Sequence, residues 1–144
     1  MIVLDTTVLV YAVGDDHPLR TPAQRLVEAI GDGLPATTTV EVIQEFAHVR
    51  ARRRGRDDAG AVATSYADLL GPLLRPTDAD VRAGLTRFIT DEALGAFDVV
   101  LVAAALSAEH VDTLVSADAG FRGIRGLDVV DLADEVAVDR LIRS

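Results

Sequence analysis

Four carboxylates occupy positions where a chain of alternating strands and helices collects its chemistry. Asp5 follows directly on the apolar run Ile2-Val3-Leu4, and Asp118 comes two residues after the run Thr113–Ser116. In an open parallel sheet, ligands bind beyond the carboxyl ends of the strands, where strand order reverses. If these two strands are neighbours, their trailing aspartates converge there. Asp98 sits at the start of the most apolar helical stretch, where free backbone N–H groups favour an anion. Glu45 lies about one turn into a helix that follows another strand end. Carboxylates gathered in one crevice raise each other's pKa values by whole units. A hard divalent cation resolves that repulsion. With no cysteine and three histidines, oxygen-only ligation points to Mg²⁺ or Mn²⁺. Such a centre suits phosphoryl chemistry, because the cation acidifies and orients water and shields a phosphodiester.

Each of these residues also has a plain structural reading. Asp5 serves equally as a turn residue or helix cap, Asp98 as an N-cap, and Asp118 as an ordinary Asx-turn. Thr38-x-x-Glu41 has the form of a capping box, which accounts for Glu41 without function. Glu45, four residues on, is not needed by that cap, and a like-charge pair on one helix face is mildly unfavourable. Glu45 and His48 have the Glu-x-x-His spacing of di-iron bundles, but those need two copies and two further glutamates. Only one copy exists here. His17 and His110 read as loop or helix-end residues. Thr6 and Thr7 either hydrogen-bond a water at the centre or close the first loop. Arg52, Arg53 and Arg54 either grip RNA phosphates at the rim or form a solvated helix end that suits the dipole.

The elements that position these groups follow from periodicity and punctuation. Ile2–Leu4, Leu34–Thr37, Leu73–Arg75, Thr113–Ser116 and Leu127–Val130 read as five short strands. Helices are expected from Thr21-Pro22 to Gly31, and from Thr38 into the arginines, with Gly55 as the stop. Another spans Asp57–Leu70. Thr77-x-x-Asp80 opens a helix expected to turn Val81, Leu85, Phe88 and Ile89 inward. Phe97–Glu109 is apolar on almost every side and should be the buried central helix. Ala133–Ile142 closes the chain. Strands alternating with helices predict right-handed parallel βαβ units with helices on both faces.

Composition narrows the classes. The 144 residues are expected to form one domain, 1–144, and 49% hydrophobic content supports a real core. All 14 basic side chains are arginine, which removes a Walker A loop and Schiff-base chemistry. A net charge of −9 argues against general nucleic-acid coating, although five arginines crowd between Arg50 and Arg56. The start, MIVLDTTVLVY, lacks the basic flank of a signal peptide, and no apolar run is long enough to span a membrane. A cytoplasmic protein is expected.

The stretches Val3-Leu4-Asp5-Thr6-Thr7-Val8-Leu9, Val42-Ile43-Gln44-Glu45-Phe46, Phe97-Asp98-Val99-Val100-Leu101-Val102-Ala103-Ala104-Ala105 and Leu114-Val115-Ser116-Ala117-Asp118-Ala119-Gly120-Phe121, in this order and spacing, resemble the PIN-domain ribonucleases. They resemble specifically the VapC-type toxins of bacterial toxin–antitoxin pairs, and the likeness runs from the first strand to Val130. The resemblance implies a helix-rich three-layer α/β/α sandwich with a short-stranded central parallel sheet. It further implies Mg²⁺-dependent endonucleolytic cleavage of RNA, of the tRNA or rRNA class. Asp5 and Asp98 then correspond to direct metal ligands, Asp118 completes the centre, and Glu45 acts on the attacking water. Ser116 stands where the family often has Thr and keeps the hydroxyl, so Thr6, Thr7 and Ser116 are candidates to hold water or the ligands. Water as nucleophile leaves 5′-phosphate and 3′-hydroxyl ends. A homodimer is implied, as is a cognate antitoxin whose C-terminal segment enters the acidic groove. Two other readings of the residues stand beside this one. One is a protein-binding module that keeps the scaffold without activity. The other is an aspartyl-phosphate phosphatase, for which Asp5-Thr6-Thr7-Val8 is a partial match lacking the second Asp and any lysine.

Overall fold

The computed structural model describes all residues, 1–144. Four parallel strands, β1 (Ile2–Leu4), β2 (Ala36–Thr37), β3 (Thr113–Ser116) and β4 (Asp128–Asp131), form one sheet in the order β2-β1-β3-β4. Seven helices surround it: α1 (Thr6–Ala12), α2 (Arg20–Gly31), α3 (Val40–Arg54), α4 (Arg56–Leu69), α5 (Asp78–Thr90), α6 (Ala96–Ser107) and α7 (Glu135–Ile142). The chain passes from β1 to β2 on one side and later to β3 on the other, so strand order reverses between β1 and β3. Those two strands pair directly, with Leu4 opposite Val115. Their carboxyl ends therefore open at the same place, the condition on which convergence of Asp5 and Asp118 depended.

The core explains why such short strands suffice. Val3, Leu4, Leu114 and Val115 are fully buried, and strands covered on both faces carry unbroken apolar runs instead of alternation. Against them pack Val8 and Leu9 of α1, Leu26 of α2, Phe46 of α3 and Val99 and Val102 of α6. Phe46 and Tyr66 meet edge to face with centroids 5.1 Å apart, tying α3 to α4.

Several expectations need correction. Thr6–Ala12 is a helix and not a loop, with Asp5 as its N-cap. Leu73–Arg75 is no strand; a single bridge links Thr39 to Leu74, because Pro72 and Pro76 flank the segment and cannot donate to a ladder. Helix α3 is capped by Thr39 and not by Thr38, whose hydroxyl instead donates to Leu4 O at 2.7 Å. Helix α5 has the expected capping box at Thr77 and Asp80 but the opposite rotation. Val81, Leu85, Phe88 and Ile89 are all exposed, Ile89 by 81%. The inward face is carried by Asp80 and Gly84. A Cβ on Gly84 would lie 2.9 Å from Val99 O, so the glycine lets α5 press onto the α6 backbone and turns the apolar stripe outward.

Candidate active site

At the head of β1, the extended backbone of Asp5 starts α1 while its side chain points into the crevice and is only 4% exposed. Its Oδ2 accepts from Thr7 Oγ1 and Ser116 Oγ, both at 2.7 Å. Thr7 Oγ1 in turn accepts from Ala117 N, and Ser116 Oγ accepts from Asp118 N. Two hydroxyls thus lock the ends of β1 and β3 together. Asp118 caps the 3₁₀ turn Ala119–Phe121, its Oδ1 accepting from Gly120 N at 2.8 Å. Gly120 has no room for a side chain: a Cβ would fall 2.4 Å from Ala93 O.

Asp98 stands at the third position of α6, with Oδ2 accepting from Gly95 N at 3.0 Å. Glu45 reaches across from α3, and its Oε2 accepts from Thr6 Oγ1 at 2.5 Å. One cavity is bordered by Asp5, Glu45, Asp98 and Asp118, with Thr6 and Thr7. The fold therefore brings together all four acids and the three hydroxyls expected from the sequence. Each carboxylate has one oxygen held by a protein donor; the other accepts no hydrogen bond from the chain. No three acidic or histidine side chains close on a point as a preformed cage; the acids line a cleft.

Their electrostatics agree with their position. The Asp98 carboxyl is pushed up to about 6, chiefly by burial, against the opposing pull of Gly95 N–H, with the negative charges of Asp5, Glu45 and Asp118 each adding a smaller push upward. No arginine offsets it. The donor set is hard oxygen throughout, and each acid offers an open oxygen, so these residues fit a hard divalent cation better than any soft metal.

Two neighbours were not singled out for the site by their sequence signals. Glu41 is not the partner of a capping box. Its Oε2 is buried and accepts no hydrogen bond, and it borders a second recess shared with Asp5, Glu45 and Asp98. Tyr11 lines the acidic cavity; its place one turn after Thr7 is the available signal, masked by the β-branched residues that make this segment a poor helix former.

The arginines part company. Arg54 is paired with Asp15 at 2.5 Å, which withdraws it from the role of a free phosphate grip. Arg50 is held by Asp58 and Val13 O. Arg52 faces a different groove, between α3 and α4, with His48 and Arg56. Arg53 makes no ion pair and borders the recess next to the acidic cavity.

The PIN domain family matches residues 2–127. Ribonuclease VapC7 of Mycobacterium tuberculosis is 50% identical over 139 residues, covering 95% of this chain and 94% of that protein. VapC ribonuclease Mb1869c of Mycobacterium bovis and Ribonuclease VapC13 of Mycobacterium tuberculosis are each 32% identical over 132 residues, covering 88% of this chain and 97% of each relative. No helix is long and apolar enough to cross a membrane.

Proposed function

The chain belongs to the PIN-domain family, and from that premise we propose that it is a VapC-type endoribonuclease toxin that hydrolyses RNA with Mg²⁺. The observation that carries this reading is the cleft itself. Four acids from four separate segments line it, each with one oxygen fixed by a donor and one left open, and Asp98 is held unusually basic by its burial and, further, by the charges of the other three. Burying like charges without a counterion is costly, so the arrangement makes sense around a cation.

Asp5, Asp98 and Asp118 would hold the ion, with Mn²⁺ as an alternative. A bound cation would offset the negative charge of cleft and phosphate and acidify water. Thr7 and Ser116 keep Asp5 in one rotamer through their hydroxyls. Thr6 does the same for Glu45, whose open oxygen is available to take a proton from the attacking water. Direct attack by water in line with O3′ would form the new P–O bond as the P–O3′ bond breaks. O3′ would leave as the hydroxyl, giving 5′-phosphate and 3′-hydroxyl ends on the RNA, of the tRNA or rRNA class.

Homodimerisation and inhibition by a cognate antitoxin belong to the same reading, as does a cytoplasmic location. The exposed Leu85, Phe88 and Ile89 on α5 supply an apolar face for self-association. Light scattering on the purified chain tests this: a dimer is expected, reverting to monomer in Ile89→Glu.

The activity is tested by incubating purified protein with total RNA in Mg²⁺ or EDTA and sequencing the 5′-phosphorylated ends. Cleavage should require Mg²⁺. Asp5→Asn should lose on the order of 10²-fold or more of the rate, as with other single electrostatic stabilisers. Wild-type turnover in Asp5→Asn would overturn the assignment.

A further inference from the structure

We infer that Tyr11, His17 and Arg53 form a nucleotide subsite beside the acidic cleft, stacking one unpaired base and holding the next phosphate. This inference rests on the ribonuclease reading and specifies how the substrate strand lies. Tyr11 follows Thr7 by four residues on α1, so it shares the face that bears on Asp5, and its side chain borders the cavity of the four acids. His17 stacks on the Tyr11 ring with centroids 4.6 Å apart and planes inclined by 29°. Leu19 N donates to His17 Nδ1 at 3.1 Å, which fixes the imidazole and, through it, the tyrosine. A half-buried aromatic ring held by a second ring beside a phosphodiester-cleaving centre presents a π surface that an unstacked RNA base can extend.

The strand has a continuous way out. Val10 and Val49 border both the acidic cavity and the neighbouring recess, which Arg53 also borders. Glu45, Val49 and Arg53 climb α3 in steps of four residues, so the path runs from acid through apolar wall to cation. Arg53 is free of ion pairs, whereas Arg50 and Arg54 in the same recess are held by Asp58 and Asp15. An unpaired guanidinium at this distance along the groove suits the phosphate after the stacked base. Arg52, one residue away, opens on the far groove with His48 and serves as an internal control.

The test uses short single-stranded RNA carrying 2-aminopurine, bound to the Asp98→Asn protein so that cleavage does not intervene. Binding should quench the fluorescent base. Tyr11→Leu should abolish the quench and weaken binding about tenfold, in keeping with the loss of one stacked base. Tyr11→Phe, which keeps the ring and controls for folding, should retain both. Arg53→Ala should weaken binding and reduce its salt dependence by about one phosphate contact, while Arg52→Ala should change neither. In the active protein, Tyr11→Leu should raise KM with little change in kcat and alter the base preferred at the cut. Binding by Tyr11→Leu and Arg53→Ala indistinguishable from Arg52→Ala would overturn the subsite while leaving ribonuclease activity standing. Quenched, Arg53-dependent binding by a wild-type protein that cuts no RNA would do the reverse.

Discussion

Asp80 and Asp98 occupy the same local position, the third residue of a helix with the carboxylate folded back onto the cap, and they have opposite chemistry. Asp80 Oδ2 accepts from Thr77 N and Thr77 Oγ1, and its Oδ1 from Ser107 Oγ at 2.5 Å. Both oxygens are satisfied, and those hydrogen bonds hold its pKa below the usual carboxylate range. Asp98 receives one hydrogen bond, from Gly95 N. Its other oxygen opens on a cleft with three further acids, and its pKa is raised. The same helix-start position thus yields a fully hydrogen-bonded carboxylate in one case and an uncompensated one in the other. What separates them is what surrounds each: hydroxyls that donate to Asp80, and for Asp98 burial together with three other carboxylates. Evolution tolerates the second arrangement where binding a ligand offsets it.

Exchanging the two residues in turn should break this comparison most sharply in activity. On the proposed function, Asp98→Asn should lower RNA cleavage on the order of 10²-fold or more, since it would remove charge where the phosphate would react. Asp80→Asn should leave turnover within about twofold, because Asp80 does not border the cleft. Measured rates on one RNA substrate decide it; comparable losses in both variants would mean that Asp98, too, acts through the fold. Next in size is stability. Asp80→Asn loses a charged acceptor from a 7% exposed position and should cost about 1–2 kcal/mol by denaturant unfolding. A Tm unchanged from wild type would show that the Thr77–Asp80–Ser107 network contributes nothing net.

The contrast between these aspartates was only half legible in the sequence. The four acids of the cleft could be read because each stands at a strand end or helix start, where α/β folds place their chemistry, and the strand order then made Asp5 and Asp118 neighbours. Their pairing with Thr6, Thr7 and Ser116 depends on rotamers that only the packed structure fixes. Helix α1 was hidden because Thr6–Ala12 is rich in β-branched residues, weak helix formers, and the Asp5 cap together with burial of Val8 and Leu9 overrides that tendency. The orientation of α5 escapes the sequence for a different reason. Periodicity locates an apolar stripe without saying which way it faces, and the close approach at Gly84 decided that. Among the adjacent threonines Thr38 and Thr39, no sequence rule selects the cap; the carbonyl of Leu4 does so by engaging Thr38.

The smallest expected effect is also the most specific to an uncompensated acid. A carboxyl whose folded pKa is raised, here from 3.8 to about 6, binds its proton more tightly in the folded state than in the unfolded. Its stabilising contribution is fully present below about pH 4 and is lost as pH rises through about 6. Asn at position 98 has no proton to lose and carries no charge toward Asp5, Glu45 and Asp118. In EDTA, Asp98→Asn and wild type should therefore melt together near pH 4, and the variant should gain on wild type as pH rises, reaching a lead of a few degrees by pH 7. Adding Mg²⁺ at pH 7 should shrink that lead, because an ion bound as proposed would stabilise the wild-type cleft by mass action and hold the variant less well. A lead that is the same at pH 4 and pH 7 would show that burial and the neighbouring acids do not raise the Asp98 pKa enough to matter. One indifferent to Mg²⁺ would show that the four acids share no cation. Asp80→Asn supplies the opposite sign: its deficit should be full at neutral pH and fade as acid protonates the wild-type carboxylate, since a lowered pKa contributes stability only above that titration.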